Sequence, residues 1–338
     1  IDSDMSLPLV SVVLPLYNVE PYVQETIRSL LNQSLQNFEI IVIDDSSIDN
    51  TVEKIKELKD ARIKLIVSNH NTGRAGADNR AVLEAQGKYI AKMDGDDICH
   101  PDRLARQVAI LESQPEINVV GSWMQNFGAS NYLNRYLEHP AEAKVTTLFT
   151  LPTGNPSVML RRELFSESGM HYDATLRQTE DYDFFARYIN ELRIHTIQEA
   201  LIQYRVPPDT RKKDILSERA TVADVVREQL LARWNLPFTN REMQIHNTIA
   251  MLDHKVEIEL QEAENWLLKL LAHNTREAWF EPQALQRVLA QRWFEVCYTY
   301  RRPRLGGLRH FYRSPLAAGF SLATRQQAKF LLQALRSF

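Results

Sequence analysis

A chain of 338 residues, 44% apolar and 25% charged, has an ordinary globular composition and is long enough for one large domain or two modest ones. Its two cysteines, Cys99 and Cys297, lie far apart and in no metal-ligand spacing, which argues against a disulfide framework or a thiolate-bound metal and for a reducing compartment. No run approaches the roughly 18–20 apolar residues a membrane span needs, and no secretory signal is visible, so a cytoplasmic protein is expected.

The opening IDSD before Met5 reads as a cloning remnant, and residues 1–7 are set apart as a remnant or N-terminal extension. LVSVVLP (9–15) is a nearly continuous apolar run rich in valine, the pattern of a strand buried on both faces. Val23, Ile27, Leu30 and Leu31 then recur at helical spacing. FEIIVID (38–44) predicts a second strand, Val52, Ile55 and Leu58 a helix, and RIKLIVS (62–68) a third strand. AGADNRAVLEAQG (75–87) suits a helix closed by Gly87, and YIAKMD (89–94) a fourth strand. Strands alternating with helices imply βαβ units, a parallel sheet and right-handed crossovers.

Each of the four strands runs into a polar cluster: Tyr17 and Asn18 after the first; Asp44, Asp45 and SSIDNT after the second; Asn69, Asn71, Gly73 and Arg74 after the third; and DGDD, with Asp94, Asp96 and Asp97, after the fourth. Open parallel α/β sheets bind ligands beyond the carboxyl ends of their strands, so all four clusters are expected on one edge. Turn residues commonly sit at strand ends, which accounts for any one cluster. It accounts poorly for three carboxylates within four positions, because like charges repel and their burial is costly. Either water solvates them on a surface turn or a cation sits among them.

From about 115 to 205 the pattern is mixed. NVVGSWM (118–124) and NPSVMLRR (155–162) read as strands, and EDYDFFARYIN (180–190) starts a helix with carboxylates in its first turn, where the dipole favours them. The Pro207–Pro208 pair marks a boundary. Beyond it, helices are expected at about 213–235, 241–274, 282–299 and 315–337. No acidic residue comes after Glu295, while Arg301, Arg302, Arg304, Arg309, Arg313, Arg325, Lys329 and Arg336 do, so an acidic body carries a basic tail despite a net charge of only −3. Arginines mixed with Phe, Tyr and Leu suit a helix lying on an anionic bilayer. They equally suit a helix packed on the catalytic domain, with its arginines paired to the acidic body. Nucleic acid has only the charge in its favour and is not an expected partner.

Carboxylates converging at a strand end make a hard-oxygen site for Mg²⁺ or Mn²⁺. A calcium EF-hand loop fails on spacing: counted from Asp94, the positions that need Asp/Asn and Glu hold Ile98 and Ala105. Neither G-x-x-x-x-G-K-[ST] nor G-x-G-x-x-G is present. The first half thus suits a nucleoside diphosphate bound through a metal rather than through a glycine loop.

VSVVLPLYN (10–18), IIVIDDSSIDNT (40–51), NHNTGRAGADNRA (69–81), YIAKMDGDDICHPDRL (89–104), GNPSVMLRR (154–162) and QTEDYDFF (178–185) resemble, in order and spacing, the inverting family 2 glycosyltransferases of the GT-A fold that build bacterial glycans. The resemblance covers residues 8 to about 205 and departs from the family's usual DADD only at Gly95, at no chemical cost. It implies an α/β, Rossmann-like GT-A domain over 8–208, a mostly helical region over 209–300 and a basic amphipathic tail over 301–338.

The resemblance also implies roles. Pro15, Leu16, Tyr17 and Asn18 would line the nucleoside pocket, to which Asn71 and Gly95 also belong. Asp45, with Asp44 beside it, would accept the ring N–H of uracil, and Arg74 would stand near base and phosphates. Asp94, Asp96 and Asp97 correspond to the D-x-D segment, Asp96 facing the ribose and metal and Asp97 the metal, Mn²⁺ or Mg²⁺. Asp181 corresponds to the catalytic base, with Glu180 holding the acceptor or acting as the base itself; the alternative is that both merely cap a helix. His100, His139 and His171 are not expected to be metal ligands, Trp123 is read as core and Cys99 as a small apolar side chain, and Asn155 and Ser157 are either acceptor contacts or turn and strand residues.

The expected activity is metal-dependent transfer from a nucleotide-sugar, a UDP-sugar first, to a hydroxyl of a glycan or lipid-linked acceptor, at the inner face of a bacterial membrane. The alternatives are a nucleotidyltransferase acting on a sugar phosphate, which would release pyrophosphate, and a non-catalytic nucleotide-binding module.

Overall fold

A computed structural model describes residues 7–208, 212–252, 256–300, 304–318, 320, 326–327 and 329–331. Most of the expected N-terminal remnant, and Arg301, Arg302, Arg325 and Arg336 of the expected tail, lie outside the described residues. The chain divides into two compact units, Ile1–Ala143 with Leu151–Val222, and Lys144–Thr150 with Ala223–Phe338.

The first unit begins β1 (Val10–Leu16), α1 (Val23–Leu31), β2 (Phe38–Asp44), α2 (Thr51–Lys56), β3 (Ile63–Val67), α3 (Gly73–Glu84) and β4 (Tyr89–Lys92). Every residue of β1 is buried because both its faces are covered. Val12 and Leu14 pack with Val23, Ile27 and Leu30 of α1, while Val13 packs with Ala77, Ala81 and Val82 of α3. Each fully buried side chain of this size contributes about 1.5–3 kcal/mol, which explains the unbroken apolar run.

The unit continues with β5 (Ile98–Cys99), α4 (Arg103–Ser113), β6 (Val119–Gly128), β7 (Tyr132–Asn134), α5 (Pro140–Thr146), β8 (Met159–Arg161), α6 (Glu163–Ser166), α7 (Glu180–Arg187) and β9 (Ile194–Val206). The nine-stranded sheet runs β3-β2-β1-β4-β8-β6-β9-β5, with β7 on β6. β1 through β4 are mutually parallel, β8 runs against β4 and β6, and β9 runs parallel to β6. The register pairs Leu16 with Asp44, Asp44 with Val67, and Val13 with Lys92. The four polar loops therefore leave the sheet along one rim, as expected of this α/β architecture.

Local expectations needed correction at several points. α3 ends at Glu84 with Ala85 as its cap, so Gly87 does not close it; Gly87 instead lies against Ser11, whose Oγ accepts its N–H at 2.8 Å. Residues 155–162 are not one strand, because Pro156 sits in a 3₁₀ turn over Asn155–Ser157 before β8 begins. β9, thirteen residues long, was not expected as a strand because its polar residues interrupt the apolar pattern.

α8 (Lys212–Arg233) starts in the first unit and passes into the second at Ala223; α9 (Asn240–Met251), α10 (Leu260–Glu277), α11 (Pro282–Thr299) and α12 (Arg304–Arg313) follow in the second unit. The single helix expected over 241–274 is two. Leu252 turns left-handed at φ 54°, and the Glu259–Glu262 capping box starts α10. Pro315 opens a 3₁₀ turn after α12, so a helix does not begin at 315 as expected. Buried His246 accepts from Trp266 Nε1 at Nδ1 (3.1 Å) and meets Leu148 O through Nε2 (2.9 Å); burial holds it neutral, with its pKa pushed down to about 3. Two described aromatics of the tail pack in this unit: Phe311 and Phe330 are buried against Phe294 at centroid distances of 5.6 and 5.4 Å, while Tyr312 and Leu331 are exposed. Arg309, Arg313 and Lys329 remain exposed. Among the described residues no helix is long and apolar enough to cross a membrane.

Candidate active site

The loops after β1 and β2 are laced together. Asn18, at φ 53°, accepts from Ile48 N through Oδ1 and donates its own N–H to Ser47 Oγ, both at 2.9 Å. Asp45 N donates to Leu16 O at 2.8 Å. Both oxygens of the Asp45 carboxylate are occupied, by Thr72 N, Thr72 Oγ1 and Gly73 N, each at 2.9–3.0 Å. Asp45 thereby tethers the start of α3, and Asn71 Nδ2 donates to its carbonyl at 3.0 Å. Asp44 differs: Oδ2 accepts from Ser47 N at 3.1 Å, while Oδ1 is buried without a partner. Pro15 and Leu16 are buried in β1, and Tyr17 stands 49% exposed at the rim.

The acidic turn comes after β4. Thr26 Oγ1 donates to Gly95 O (3.0 Å) and Asp97 O (2.8 Å), fixing its backbone from α1. A Cβ on residue 95 would meet Leu16 Cδ2, the tip of a flexible side chain that can turn aside. Arg205, near the end of β9, holds the turn from the other side. Its N–H donates to Asp97 Oδ1 and its Nε to Asp96 O, both at 2.8 Å. Its guanidinium also reaches Glu25 at 2.7 Å and lies 4.4 Å from the Phe127 ring centroid.

Asp97 is fully buried, and its Oδ2 has no partner. Burial, then the Asp94 charge, pushes its carboxyl far above the usual carboxylate range, and the same two causes push Asp96 up to about 6. A divalent cation would relieve both the orphaned oxygen and the repulsion, so these residues fit one. The oxygens of Asp94, Asp96 and Asp97 do not converge as a three-ligand cage; among the described residues the one such convergence is Glu138, His139 and His195. A cation at the turn would therefore take fewer than three carboxylates and complete its shell with water or phosphate oxygens.

Arg74, in the first turn of α3, joins the acidic turn to α7. It is ion-paired with Asp94, and its Nε lies 3.6 Å from Glu180 Oε1. Burial opposes its charge, but Asp94, Asp78 and Glu180 outweigh burial and raise its pKa. Glu180 and Asp181 open α7 directly after Thr179, whose φ is 67°. Burial first, then the charge of Asp181, raises the Glu180 carboxyl; burial raises Asp181, whose Oδ1 accepts from Tyr182 N at 2.8 Å. Beneath them Lys92 and Asp78, both fully buried, form an ion pair, with the Lys92 ammonium 4.7 Å from the Tyr172 ring centroid.

The structure thus gathers Asp94, Asp96, Asp97, Arg74, Glu180 and Asp181 in one neighbourhood. Ser157 lies outside it, buried and bonded to Gly154 O and Ser122 N. Asn155 is buried with Oδ1 unpartnered. His100 and His171 serve local turns, through Asp102 N and Gly169 O. Trp123 is half-buried, with its indole N–H on Tyr136 O at 3.0 Å. Cys99 is buried. A cavity of about 410 Å³ lies elsewhere, lined by Asn79, Val82, Phe165 and Met170 and by none of these carboxylates. Sequence reasoning missed Asp78, Lys92 and Arg205. Lys92 alone carried a signal, a cation inside an otherwise apolar strand.

Residues 11–179 match the family model described as glycosyl transferase family 2, so Glu180 and Asp181 fall just beyond the match. An uncharacterised glycosyltransferase of Methanocaldococcus jannaschii is 36% identical over 213 residues, covering 60% of this chain and 73% of that protein. The Escherichia coli UDP-Glc:α-D-GlcNAc-diphosphoundecaprenol β-1,3-glucosyltransferase WfgD is 42% identical over 103 residues, 30% of this chain and 41% of that one. The crystal structure of S. aureus TarS 1-349 in complex with UDP shares the fold with a TM-score of 0.56, at 18% identity, over 89% of this chain and 88% of that one.

Proposed function

The chain belongs to glycosyltransferase family 2, and from that premise we propose inverting, metal-dependent transfer from a nucleotide-sugar, a UDP-sugar first, to a hydroxyl of a glycan or lipid-linked acceptor in bacterial surface-polysaccharide synthesis. One observation carries the reading: Arg74 stands between Asp94 of the acidic turn and Glu180 of the α7 carboxylate pair. A donor-holding group and a proton-accepting group are thereby set across a single cation. The E. coli relative supports the donor and acceptor class, since its name specifies UDP-Glc and a diphosphoundecaprenol-linked sugar.

A divalent ion, when bound, would offset the diphosphate's charge as it departs, and Asp97 with Asp96 would hold it. Asp44, with a buried oxygen unpartnered, is the better acceptor for a base N–H than Asp45, whose oxygens already serve Thr72 and Gly73. Tyr17 and Asn18 border the same rim. Arg74 offers charge to the phosphates. The Asp181 carboxylate takes the proton of the acceptor hydroxyl. The acceptor oxygen forms its bond to the anomeric carbon as the bond to the diphosphate breaks on the opposite face, which inverts that carbon. Glu180, held by Arg74, keeps the pair ordered. The exposed Arg309, Arg313 and Lys329 suit the anionic surface where a lipid-linked acceptor resides, at about 1 kcal/mol per cation near the surface.

The test is a panel of nucleotide-sugars with Mn²⁺ and a diphosphate-lipid-linked sugar, read as nucleoside diphosphate release and as the anomeric configuration of the product. Release that EDTA abolishes, with inversion, is expected. Retention of configuration, or release indifferent to EDTA, overturns the reading.

A further inference from the structure

We propose that Glu138, His139 and His195 form a second metal site, built for Zn²⁺ or a similar borderline divalent ion, distinct from the acidic turn. One ligand atom from each side chain lies within 4.8 Å of the others. Ligand atoms about 2.0–2.2 Å from a zinc ion stand roughly 3.3–3.6 Å apart in a tetrahedron, so small rotamer adjustments close the set. Glu138 and His195 are half-buried and His139 is exposed, so the two imidazoles and the carboxylate meet at the surface, where an ion can reach them.

The side chains lie at the surface, but the backbone under them is pinned. Thr196, next to His195 in β9, donates its N–H to Glu138 O at 2.9 Å. Trp123 Nε1 and Gln198 Nε2 both donate to Tyr136 O, at 3.0 and 3.1 Å. Ala143 N donates to His139 O at 3.0 Å as α5 begins. The segment carrying Glu138 and His139 is thus held against β6 and β9 before any ion arrives, and a preformed frame lowers the ordering cost of binding.

The donor set decides the ion. Two imidazole nitrogens and one carboxylate oxygen, with a fourth position open to water, suit zinc and its neighbours, whereas Mg²⁺ and Ca²⁺ favour all-oxygen shells such as the acidic turn provides. His195 lies near the start of β9 and Arg205 near its end, so the two metal sites occupy opposite ends of one strand. A bound ion would staple the segment before α5 to the sheet, a structural task that does not rest on the transferase reading.

The experiment is calorimetric titration of EDTA-stripped full chain with Zn²⁺ in excess Mg²⁺, alongside the His139→Ala/His195→Ala double variant. One saturable equivalent is expected in the wild type, weakened at least about tenfold in the variant, with the Mn²⁺-dependent UDP affinity of the two proteins the same. Co²⁺ should give the wild type a visible absorption band of tetrahedral type, and Glu138→Gln should weaken it. An unchanged zinc isotherm in the double variant, or no saturable equivalent in the wild type, overturns the proposal. Should the double variant fail to fold, anomalous diffraction at the zinc edge on wild-type crystals decides: a peak among the three side chains supports the site, and its absence refutes it.

Discussion

Arg205 and Asp97, 108 positions apart in the chain, meet where the Arg205 N–H donates to Asp97 Oδ1 at 2.8 Å. One carboxylate oxygen is thereby fixed by the backbone of β9, and the other is left buried without a partner. A side chain so held cannot rotate away to solvate itself. The position suits a cation, which would partner that oxygen.

Asp97→Asn keeps the shape and the accepting oxygen but removes the charge. Mn²⁺-dependent UDP affinity should fall about tenfold or more, equivalent to roughly 1.4 kcal/mol. Melting temperature without metal should hold or rise, because the cost of burying an ionisable carboxyl beside Asp94 has been removed. Calorimetry and thermal denaturation check the two halves, and unchanged nucleotide affinity would argue against the metal assignment.

Asp181→Asn should lower kcat by about 10²–10⁴-fold while leaving donor binding intact. The base must be ionised to work, and burial raises both Asp181 and Glu180, so wild-type activity should decline on the acid side at a pH above the ordinary carboxylate range. The decline comes as pH falls, since protonation removes the base. A pH–rate profile shows the limb, and its absence would place the proton elsewhere.

Lys92→Met strands Asp78 in a fully buried position and should cost about 3–5 kcal/mol. The double variant with Asp78→Leu should recover most of that loss, because a buried pair replaced by apolar groups is often near neutral. Denaturant titration of the four proteins in the cycle measures the coupling; additive losses would show that the pair does not act as a unit.

Gly307→Ala should destabilise the second unit by about 1–3 kcal/mol. Gly307 of α12 packs directly on the backbone of α11, and a Cβ there would overlap Cys297 O, which has no room to yield. Thermal unfolding checks the loss, and a fully stable variant would show that α12 can ride outward at no cost.

The chemistry near each strand end was legible in the sequence because it is local. A valine-rich run between polar loops can bury both faces only as a central strand, and four such runs alternating with helices leave their loops on one rim. DGDD announced its own electrostatic problem. The capped ends of α3 and α10 and the 3₁₀ turn at Pro156 were misjudged because helix boundaries depend on single hydrogen bonds rather than on periodicity. That Asp45 rather than Asp44 tethers the start of α3 was likewise beyond the sequence, since it turns on which of two adjacent carboxylates reaches the N–H groups of Thr72 and Gly73.

By itself the sequence determined the α/β alternation, the acidic turn, the paired carboxylates before YDFF and the basic tail, all features of neighbours in the chain. Tertiary structure alone decided that Arg205 would grip Asp97, that Arg74 would stand between Asp94 and Glu180, that Lys92 would find Asp78, and that Phe311 and Phe330 would meet Phe294. The physical reason is the same in each case. Charge and polarity can be read residue by residue, but desolvation and its compensation exist only between groups that folding brings within a few ångströms of each other.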